Sequence, residues 1–383
     1  MNRGRAAMFL ALIPGAGHLA AGRWARGFNL LAFAMAMAAI PLLRPQAFLD
    51  SLASSAIDDW IASRFLIVAL IGSVVASVLD TRRLIARGRS KGERGTRSRS
   101  VLRIALGRFR ANGLAVAALY VIVALCLVAI LAPILAPYDP AAIDDVMKTR
   151  YLGPSWDHLF GTDEFGRDLF SRAVYGARVS LSVGLLAVVI AVTFGTVYGA
   201  VAGYYGGVLD SLLMRIVDVI LAFPTFFLML MLVGVFEANL VFLVLIMGFT
   251  SWTGTARVIR GEILSLRERE FIEGARAIDL SNRVIIFRHL IPNAMTPVLV
   301  SAAMMVGGMI TAEAGLSFLG IGIRPPTPSW GNMISAGQDA LLVAWWMALF
   351  PGLLLGLSVL SFNLLADGIR DALDPKTLMR KYV

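Results

Sequence analysis

Residues 270–293 read EFIEGARAIDLSNRVIIFRHLIPN, and this stretch decides how the rest of the chain is interpreted. It is polar and rich in arginine, yet apolar runs flank it on both sides. Glu270 to Ile278 is rich in helix formers, whereas Asp279 to Asn282 contains residue types that favour turns and caps. Ser281 could cap a second short helix, Asn282 to Leu290. The pattern predicts two short helices joined by a turn.

Three residues of the first short helix are compatible with a contact surface. Gly274 and Ala275 are small, so a partner could approach the backbone closely, and Glu273 is placed to anchor nearby arginines. Short helices of this kind suit a groove on another protein. Composition alone slightly favours a plain solvated loop, so both interpretations stay open at this point.

The flanking composition is that of a membrane protein. Of the 383 residues, 58% are hydrophobic, which is more apolar surface than a soluble chain of this size could cover. Several runs approach the roughly 20 residues that span a bilayer as a helix, and they are continuous rather than alternating. The sequence therefore predicts an all-α integral membrane protein. A single cysteine, Cys126, excludes disulfides within the chain and makes a thiolate metal site implausible.

The positive charge is concentrated in one place. Residues 82–110 contain eleven basic side chains and one acid, a net +10 that equals the excess of the whole chain. A basic segment can bind nucleic acid. Between membrane segments we favour a cytoplasmic loop beside anionic lipid, as the positive-inside rule requires, and we expect no nucleic-acid partner.

This basic segment separates two parts of the chain. We expect an accessory N-terminal membrane unit over 1–80, a basic cytoplasmic linker over 81–112, a membrane domain over 113–376 and a tail over 377–383. The accessory unit has apolar stretches near 6–22, 27–43 and 63–79, which makes it a hairpin of two or three segments. The first stretch resembles a signal peptide, but cleavage there would place the basic linker outside. We therefore favour an uncleaved interfacial or re-entrant segment with the N-terminus inside; a full third span is the alternative. IPGAGHLAAGRWARG and SVLDTRRLIA in this unit loosely resemble small membrane-hairpin modules of the TM2-like kind.

Six spans are predicted in the membrane domain, at 114–135, 181–203, 211–235, 239–256, 295–320 and 343–366. With the basic linker inside, they give an external loop at 136–180, a cytoplasmic segment at 257–293 and a cytoplasmic C-terminus. The cytoplasmic segment carries seven arginines, so orientation and charge agree. Small residues four apart predict close helix packing; they are Gly195, Gly199 and Gly203, and Gly352 and Gly356.

Two acids lie inside predicted spans, where an ionised group is costly. Glu313 predicts either a hydrogen bond between helices or a place on a translocation path. Asp218 is three residues after Arg215, so a local ion pair is the simplest interpretation. No GxxxxGK[ST] phosphate loop, HExxH or CxxC occurs in the chain. The chain is therefore not expected to be an enzyme, to hydrolyse ATP or to hold a cofactor.

Four motifs in order give a more specific interpretation. EGARAIDLSNRVIIFRHLIP resembles the EAA loop of ABC-importer permeases. LGRFRANGLAVAALYVIVALCLVAILAPILAPYDP resembles the first span of the C-type permeases for dipeptides, oligopeptides and nickel, and HLFGTDEFGRDLFSRAVYGARVSL resembles their external segment. AEAGLSFLGIGIRPPTPSWGNMI and SFNLLADGIRDALDPK complete a resemblance that covers residues 105–376 and leaves residues 1–100 outside it.

The resemblance implies a six-span type I permease core in the bacterial inner membrane. Its partners would be a sister permease, two ABC ATPase subunits that use the ATP, and an external substrate-binding protein. The expected cargo would be peptides, with nickel as an alternative. The external residues Asp163, Glu164, Arg167 and Asp168 become candidates for docking the binding protein.

The same resemblance assigns ATPase coupling to residues of the opening stretch. Glu273, Ala275 and Pro292 match the family motif, whereas Gly274 and Asp279 depart from it. Aspartate tolerates a left-handed turn better than most residues, so we expect the turn at Asp279 to be kept. A stand-alone secondary transporter and a membrane scaffold built around the basic linker are the alternative functions.

Overall fold

A computed structural model describes residues 24–53, 56–89, 101–143, 145–236 and 239–373. Within these ranges the regular structure is helical, apart from one isolated bridge between Thr162 and Asp168. The all-α membrane fold predicted from composition is confirmed. The expected first segment, 6–22, and the tail at 377–383 lie outside the described residues.

Two compact units make up the chain. The first comprises the described part of Met1–Ser100 together with Ile130–Pro137, and the second comprises Val101–Ala129 with the described part of Tyr138–Val383. The boundary near residue 100 differs from the expected division at 80 and 112, because the third helix of the first unit continues into the basic linker. The helices of the first unit are α1 (Trp24–Leu43), α2 (Pro45–Ala53), α3 (Ile57–Arg89) and the short α6 (Ala132–Leu135).

The first unit contains the two later segments predicted for it. α1 covers the stretch at 27–43, and α3 covers the stretch at 63–79 and extends beyond it. Between α1 and α2 the chain bends by 83°. Pro45 explains the bend, because a proline lacks the N–H for the helical hydrogen bond and its ring clashes with the carbonyl four residues earlier.

The second unit is a helical bundle. Its helices are α4 (Val101–Phe109), α5 (Gly113–Ile130), α7 (Val146–Thr149), α8 (Leu169–Tyr205), α9 (Gly207–Leu221), α10 (Thr225–Val235), α11 (Leu240–Leu266), α12 (Glu270–Ala277), α13 (Asn282–Val284), a π-helix (Ile285–Leu290), α14 (Ile291–Phe318), α15 (Trp330–Gln338) and α16 (Trp346–Leu373). α8 packs most extensively on α11, and α14 packs on α8, α11 and α16. The four longest helices thus form the centre of the bundle.

All six predicted spans of this bundle have a helical counterpart. Five are single candidate spans, and the third is the pair α9 and α10, which are bent by 80° relative to each other. Pro224 stands at the N-cap of α10 and explains that break, because proline disfavours helical backbone at the residue before it. α8 begins at Leu169, so the external loop is shorter than the predicted 136–180.

Glycines allow α8 and α11 to approach at backbone distance. Gly195, Gly199 and Gly203 lie one turn apart on α8 and all face α11. A Cβ atom at Gly195 would lie only 2.5 Å from the carbonyl oxygen of Trp252, and one at Gly199 would overlap the carbonyl of Ala256. The packing predicted from this spacing is confirmed.

The second glycine pair does not have the predicted role. Added Cβ atoms at Gly352 and Gly356 on α16 would meet nothing within 4 Å. Among the described residues of this chain, no helix packs closely against this pair, so the predicted contact is not found there. The spacing alone does not determine which face of a helix is covered by another helix.

Replacing Gly199 with alanine should destabilise the bundle, because the new methyl group would push α8 away from Ala256. We expect a loss of about 1–3 kcal/mol, the usual cost of overpacking. The measurement is the unfolding temperature in detergent. Gly254→Ala on α11 is the matched control, since a Cβ there meets nothing within 4 Å, and equal unfolding temperatures for the two variants would contradict this prediction.

Candidate functional site

The cytoplasmic segment 257–293 is organised around the turn at Asp279. Asp279 has a φ of 56°, in the left-handed region. Its N–H donates to the carbonyl of Arg276, and the N–H of Leu280 donates to the carbonyl of Ala275. These bonds satisfy carbonyls that the end of α12 leaves without helical partners. The prediction that aspartate keeps the left-handed turn here is confirmed.

The second short helix is not a separate element. Asn282 to Leu290 forms a turn of α-helix and then a π-helix, which continues directly into α14, so that 282–318 is one candidate span. Ser281 stands at the N-cap, but its side chain makes no capping hydrogen bond. Pro292 lies in the first turn of α14 rather than at a break. The wider π turn relieves the clash between a proline ring and the carbonyl four residues before it.

One face of α12 is buried in the bundle. Ile272 is fully buried and Ala275 is 6% exposed, and both pack in a cluster with Ile259, Ile263 and Ile285. Ala275 therefore faces inward, whereas the sequence suggested an outward contact. Its small side chain lets α12 lie close to α11 and to the π-helix.

The end of α8 also holds this segment. The hydroxyl of Tyr204 donates to Oδ1 of Asn282 at 2.6 Å. The guanidinium of Arg276 lies over the same tyrosine ring, 5.5 Å from its centroid. One aromatic side chain thus contacts residues on both sides of the Asp279 turn, which fixes α12 relative to the start of the next span.

The opposite face of α12 is open. Glu273 and Gly274 are exposed, and a Cβ at Gly274 would meet nothing within 4 Å. Within the described residues the carboxylate of Glu273 has no ion-pair partner, so the expected anchoring of nearby arginines is not observed. The exposed carboxylate and the exposed backbone are therefore accessible to another molecule.

Two ion pairs join α9 to α11 near this segment. Asp210 accepts from Nε and Nη2 of Arg260 at 2.5 and 2.6 Å, a bidentate arrangement. Asp218 accepts from Nη2 of Arg257 at 2.6 Å. The predicted local pair between Asp218 and Arg215 is wrong, because Arg257 on the neighbouring helix provides the partner. In the sequence, the feature that could have indicated these two ion pairs is the presence of Arg257 and Arg260, three residues apart on α11.

The external loop contains a buried network of charges. Asp163 accepts from Nε of Arg167 at 2.7 Å and from the backbone N–H groups of Phe165 and Arg167. Arg172, at the start of α8, lies 3.5 Å from the same carboxylate. Asp163, Arg167 and Arg172 are each at least 94% buried. The carboxylate of Asp163 thus accepts from backbone N–H groups that have no helical partner.

Asp168 links this loop to α8. Its carboxylate caps the helix by accepting from the N–H and the hydroxyl of Ser171, at 2.8 and 2.7 Å. Its second oxygen lies 3.0 Å from Nδ1 of His158. Asp168 is 3% exposed. The loop is therefore fastened to the helix that forms the centre of the bundle.

These contacts revise the predicted docking surface. Of its four residues, Asp163, Arg167 and Asp168 are buried, so their side chains cannot form an exposed surface for the binding protein. Glu164 is partly exposed. The exposed side chains of the loop include apolar ones, with Trp156 at 96% and Met147 at 94% exposure, beside charged ones such as Lys148 at 82%.

Glu313 lies inside the bundle. It is fully buried, and its two oxygens accept from the hydroxyls of Ser180 on α8 and Ser317 on α14, both at 2.7 Å. The expected alternative of a hydrogen bond between helices is thus observed. The residues that line an open cavity of about 300 Å³ beside α10 do not include Glu313; they are Thr225, Phe226, Met229, Ser251, Met305, Gly308, Met309 and Ala312.

Comparisons with known proteins agree on one family. A profile for the binding-protein-dependent transport system inner membrane component matches residues 195–379, and one for the N-terminal TM domain of oligopeptide transport permease C matches residues 100–154. The dipeptide transport system permease protein DppC of Alkalihalophilus pseudofirmus is 43% identical over 274 residues, 72% of this chain and 90% of that protein. The glutathione transport system permease protein GsiD of Escherichia coli O157:H7 is 43% identical over 269 residues, 70% of this chain and 88% of that protein.

Asp163→Asn should destabilise the external loop, because it removes the nearest counter-ion of the buried Arg167 and Arg172. Breaking a buried pair costs about 3–5 kcal/mol. The unfolding temperature in detergent is the measurement, with Asp157→Asn, an exposed aspartate of the same loop, as the control. Unchanged stability of Asp163→Asn would show that the network is not required.

Glu164 predicts a pH dependence. Burial raises the pKa of its carboxyl above the ordinary 4.5, and its backbone hydrogen bond and the two arginines offset only part of this effect. The folded state thus binds this proton more tightly than the unfolded state, so the contribution of Glu164 to stability falls as pH rises above about 4.5.

Glu164→Gln should remove that dependence. Its stability should match that of the unsubstituted protein in acid and exceed it increasingly as the pH approaches neutrality. Unfolding temperatures between pH 4.5 and pH 7.5 provide the measurement. Glu268→Gln, at a glutamate whose side chain is 76% exposed, is the control; parallel curves for Glu164→Gln and the unsubstituted protein would contradict the prediction.

Proposed function

This chain belongs to the family of binding-protein-dependent transport system inner membrane components, and we propose that it is the peptide-importing permease subunit of an ATP-driven transporter. It is an inner-membrane transport component, not an enzyme. In this proposal the chain forms half of a translocation path and takes its energy from an ATPase bound at the cytoplasmic segment 257–293. The observation that carries the proposal is α12, which has one face buried in the bundle and the other exposed.

ATP hydrolysis would occur on other subunits. The sequence has no phosphate loop, so the ATP-binding groups must come from a partner, and this chain would need no cofactor of its own. The exposed face of α12, with Glu273 and Gly274, fits a groove lined by complementary donors on an ATPase subunit. An unpaired carboxylate suits such a contact because it can accept hydrogen bonds from the partner without first breaking an internal ion pair.

The packing of α12 in the bundle supports transmission of movement. Ile272 and Ala275 join it to α11, and the Asp279 turn joins it to the π-helix and α14. A displacement of α12 would therefore be passed to two spans at once rather than absorbed by a flexible loop. Coupling also requires that the two nucleotide states of the ATPase contact α12 differently, since equal contact would shift no equilibrium.

The open cavity beside α10 supports a role as half of the path. Its lining is apolar and weakly polar, with three methionines and no ionisable group. A sister permease would close the open side. Such a lining would let peptides of different charge pass without being held by a fixed counter-ion, because methionine side chains adapt to varied shapes.

The proposed cargo is a short peptide. The two relatives described above are named for a dipeptide and for glutathione, which is itself a tripeptide, and this chain is equally similar to both at 43% identity. Because the two identities are equal, they support short peptides as the class of cargo rather than the dipeptide or glutathione alone. A substrate-binding protein would deliver the peptide from outside, at the external loop whose exposed side chains include Trp156.

The orientation follows from charge. The basic residues of the linker and of segment 257–293 support a location of both at the cytoplasmic face under the positive-inside rule. We infer from this that the C-terminus and, for an uncleaved first segment, the N-terminus are cytoplasmic. The external loop then faces the compartment from which the peptide arrives.

Replacing Glu273 with lysine, or Gly274 with leucine, should uncouple ATP hydrolysis from import. The lysine would reverse a contact charge, and the leucine would fill the space that the ATPase approaches. We expect import to fall by at least about tenfold, since like charges at an interface cost several kcal/mol. Peptide uptake and ATP hydrolysis are to be measured together in the reconstituted complex.

Gly107→Leu on α4, outside segment 257–293, is the matched control, because Gly107 is exposed and a Cβ there also meets nothing within 4 Å. Normal import by both α12 variants would show that α12 is not the coupling element. Uptake by the purified chain without any ATPase would instead support a stand-alone transporter.

A further inference from the structure

We propose that α1–α3 form an anchor, built into the chain, that grips the external end of the first permease span through Arg44. The gripped segment is Ile130–Pro137, hereafter the end segment, which follows directly on α5. The two matching family profiles begin at residue 100 or later, so they assign nothing to α1–α3. The inference does not depend on the proposed coupling to an ATPase.

Arg44 carries the argument. Its Nη1 donates to the carbonyls of Ile134, Leu135 and Ala136 at 3.2, 3.1 and 2.6 Å, and Nη2 lies 3.5 Å from the carbonyl of Pro137. The last carbonyls of a helix have no helical N–H partners, and they carry the negative end of the helix dipole. A guanidinium with several donors in one plane satisfies such a group of acceptors together. In this way Arg44 supplies the cap that the end segment lacks.

The shape of α1 and α2 presents Arg44 to these carbonyls. The residue lies at the 83° bend between the two helices, where a side chain can project past both helix ends. α2 packs on α3. The hydroxyl of Ser63 on α3 donates to the carbonyl of Asp59 on its own helix at 2.9 Å and also lies 3.3 Å from the carbonyl of Ser51 on α2. This packing supports the bend that carries Arg44 from the following helix.

Apolar packing accompanies the hydrogen bonds. α6, within the end segment, packs on α2 and α3. Ala132 and Ile134 are fully buried, as are Ala62 and Leu66 on α3. Small side chains at such an interface allow helices to pack closely in a membrane, where no hydrophobic force drives them together. The end segment is thus held by apolar packing as well as by the hydrogen bonds from Arg44.

The membrane face at which Arg44 contacts the end segment indicates what the contact does. In the orientation inferred from charge, the first span runs outward, so the end segment lies at the external face. The bend at Arg44 lies at the same face, and α3 returns toward the basic linker on the inside. The anchor therefore fixes the point from which the external loop starts.

A cysteine reporter tests the grip in the full chain co-expressed with its transporter subunits. The background is Cys126→Ser, which removes the single native thiol, and the reporter is Ala136→Cys, at a residue only 9% exposed. A membrane-impermeant maleimide is added to spheroplasts, and the labelling rate is compared between Arg44, Arg44→Gln and Arg44→Lys. Gln46→Ala, at an exposed residue of α2, is the control.

Arg44→Gln should raise the labelling rate roughly tenfold, which corresponds to the loss of one hydrogen bond to a charged group. Arg44→Lys should give an intermediate rate because it keeps the charge but not the planar set of donors, and Gln46→Ala should change nothing. Equal rates for Arg44 and Arg44→Gln would overturn the proposal. A second reporter, Ala142→Cys, at an exposed loop residue, should be labelled from outside in every variant; labelling only in inverted vesicles would overturn the external location.

Thermal unfolding provides a reading that does not depend on the cysteines. With Cys126 and Ala136 unchanged, Arg44→Gln should lower the unfolding temperature of the purified complex relative to Gln46→Ala. Identical temperatures, together with an unchanged labelling rate, would show that the contacts of Arg44 contribute nothing to holding the end segment.

Discussion

The backbone contact between α8 and α11 is the constraint on which the rest of the permease unit depends. The glycines on α8 bring the two helices to a separation at which any side chain would collide. Because the helices are this close, their cytoplasmic ends present one joint surface of Tyr204, Ile259 and Ile263. α12 rests on that surface. The short polar helix therefore owes its fixed position to a contact made deep in the apolar part of the chain.

Two of the most deeply buried carboxylates are satisfied by hydrogen bonds within the protein. Glu313 accepts hydrogen bonds from two serine hydroxyls. Asp163 accepts hydrogen bonds from an arginine side chain and from two backbone N–H groups. An unsatisfied group in such places would cost several kcal/mol, so its partners are required for stability. The same need explains why Asp163, Arg167 and Asp168 of the external loop are buried together with their partners.

The sequence predicted what depends on composition and local chemistry. Continuous apolar runs located all six core spans, and the chemistry of aspartate was enough to predict the left-handed turn at Asp279. Sequence reasoning failed where the answer depended on which neighbour a side chain meets. Asp218 pairs with Arg257 rather than with Arg215 one turn away, and Ala275 faces inward. The Gly352 and Gly356 pair is in close contact with no helix in the part of the chain that the structure describes. Each of these outcomes is set by packing between segments distant in the chain, which a local pattern does not contain.

Fixed and movable parts of the chain are distinguished by the kind of contact that holds them. A guanidinium on several carbonyls, as at Arg44, is a directional contact that is lost with a small displacement. The apolar seat of α12 is different, because Ile272 and Ala275 can stay buried while α11, the π-helix and α12 move together. A transporter that alternates between two states needs both kinds. Directional contacts hold the parts that must stay in place, and non-directional ones let a group of helices move as one body.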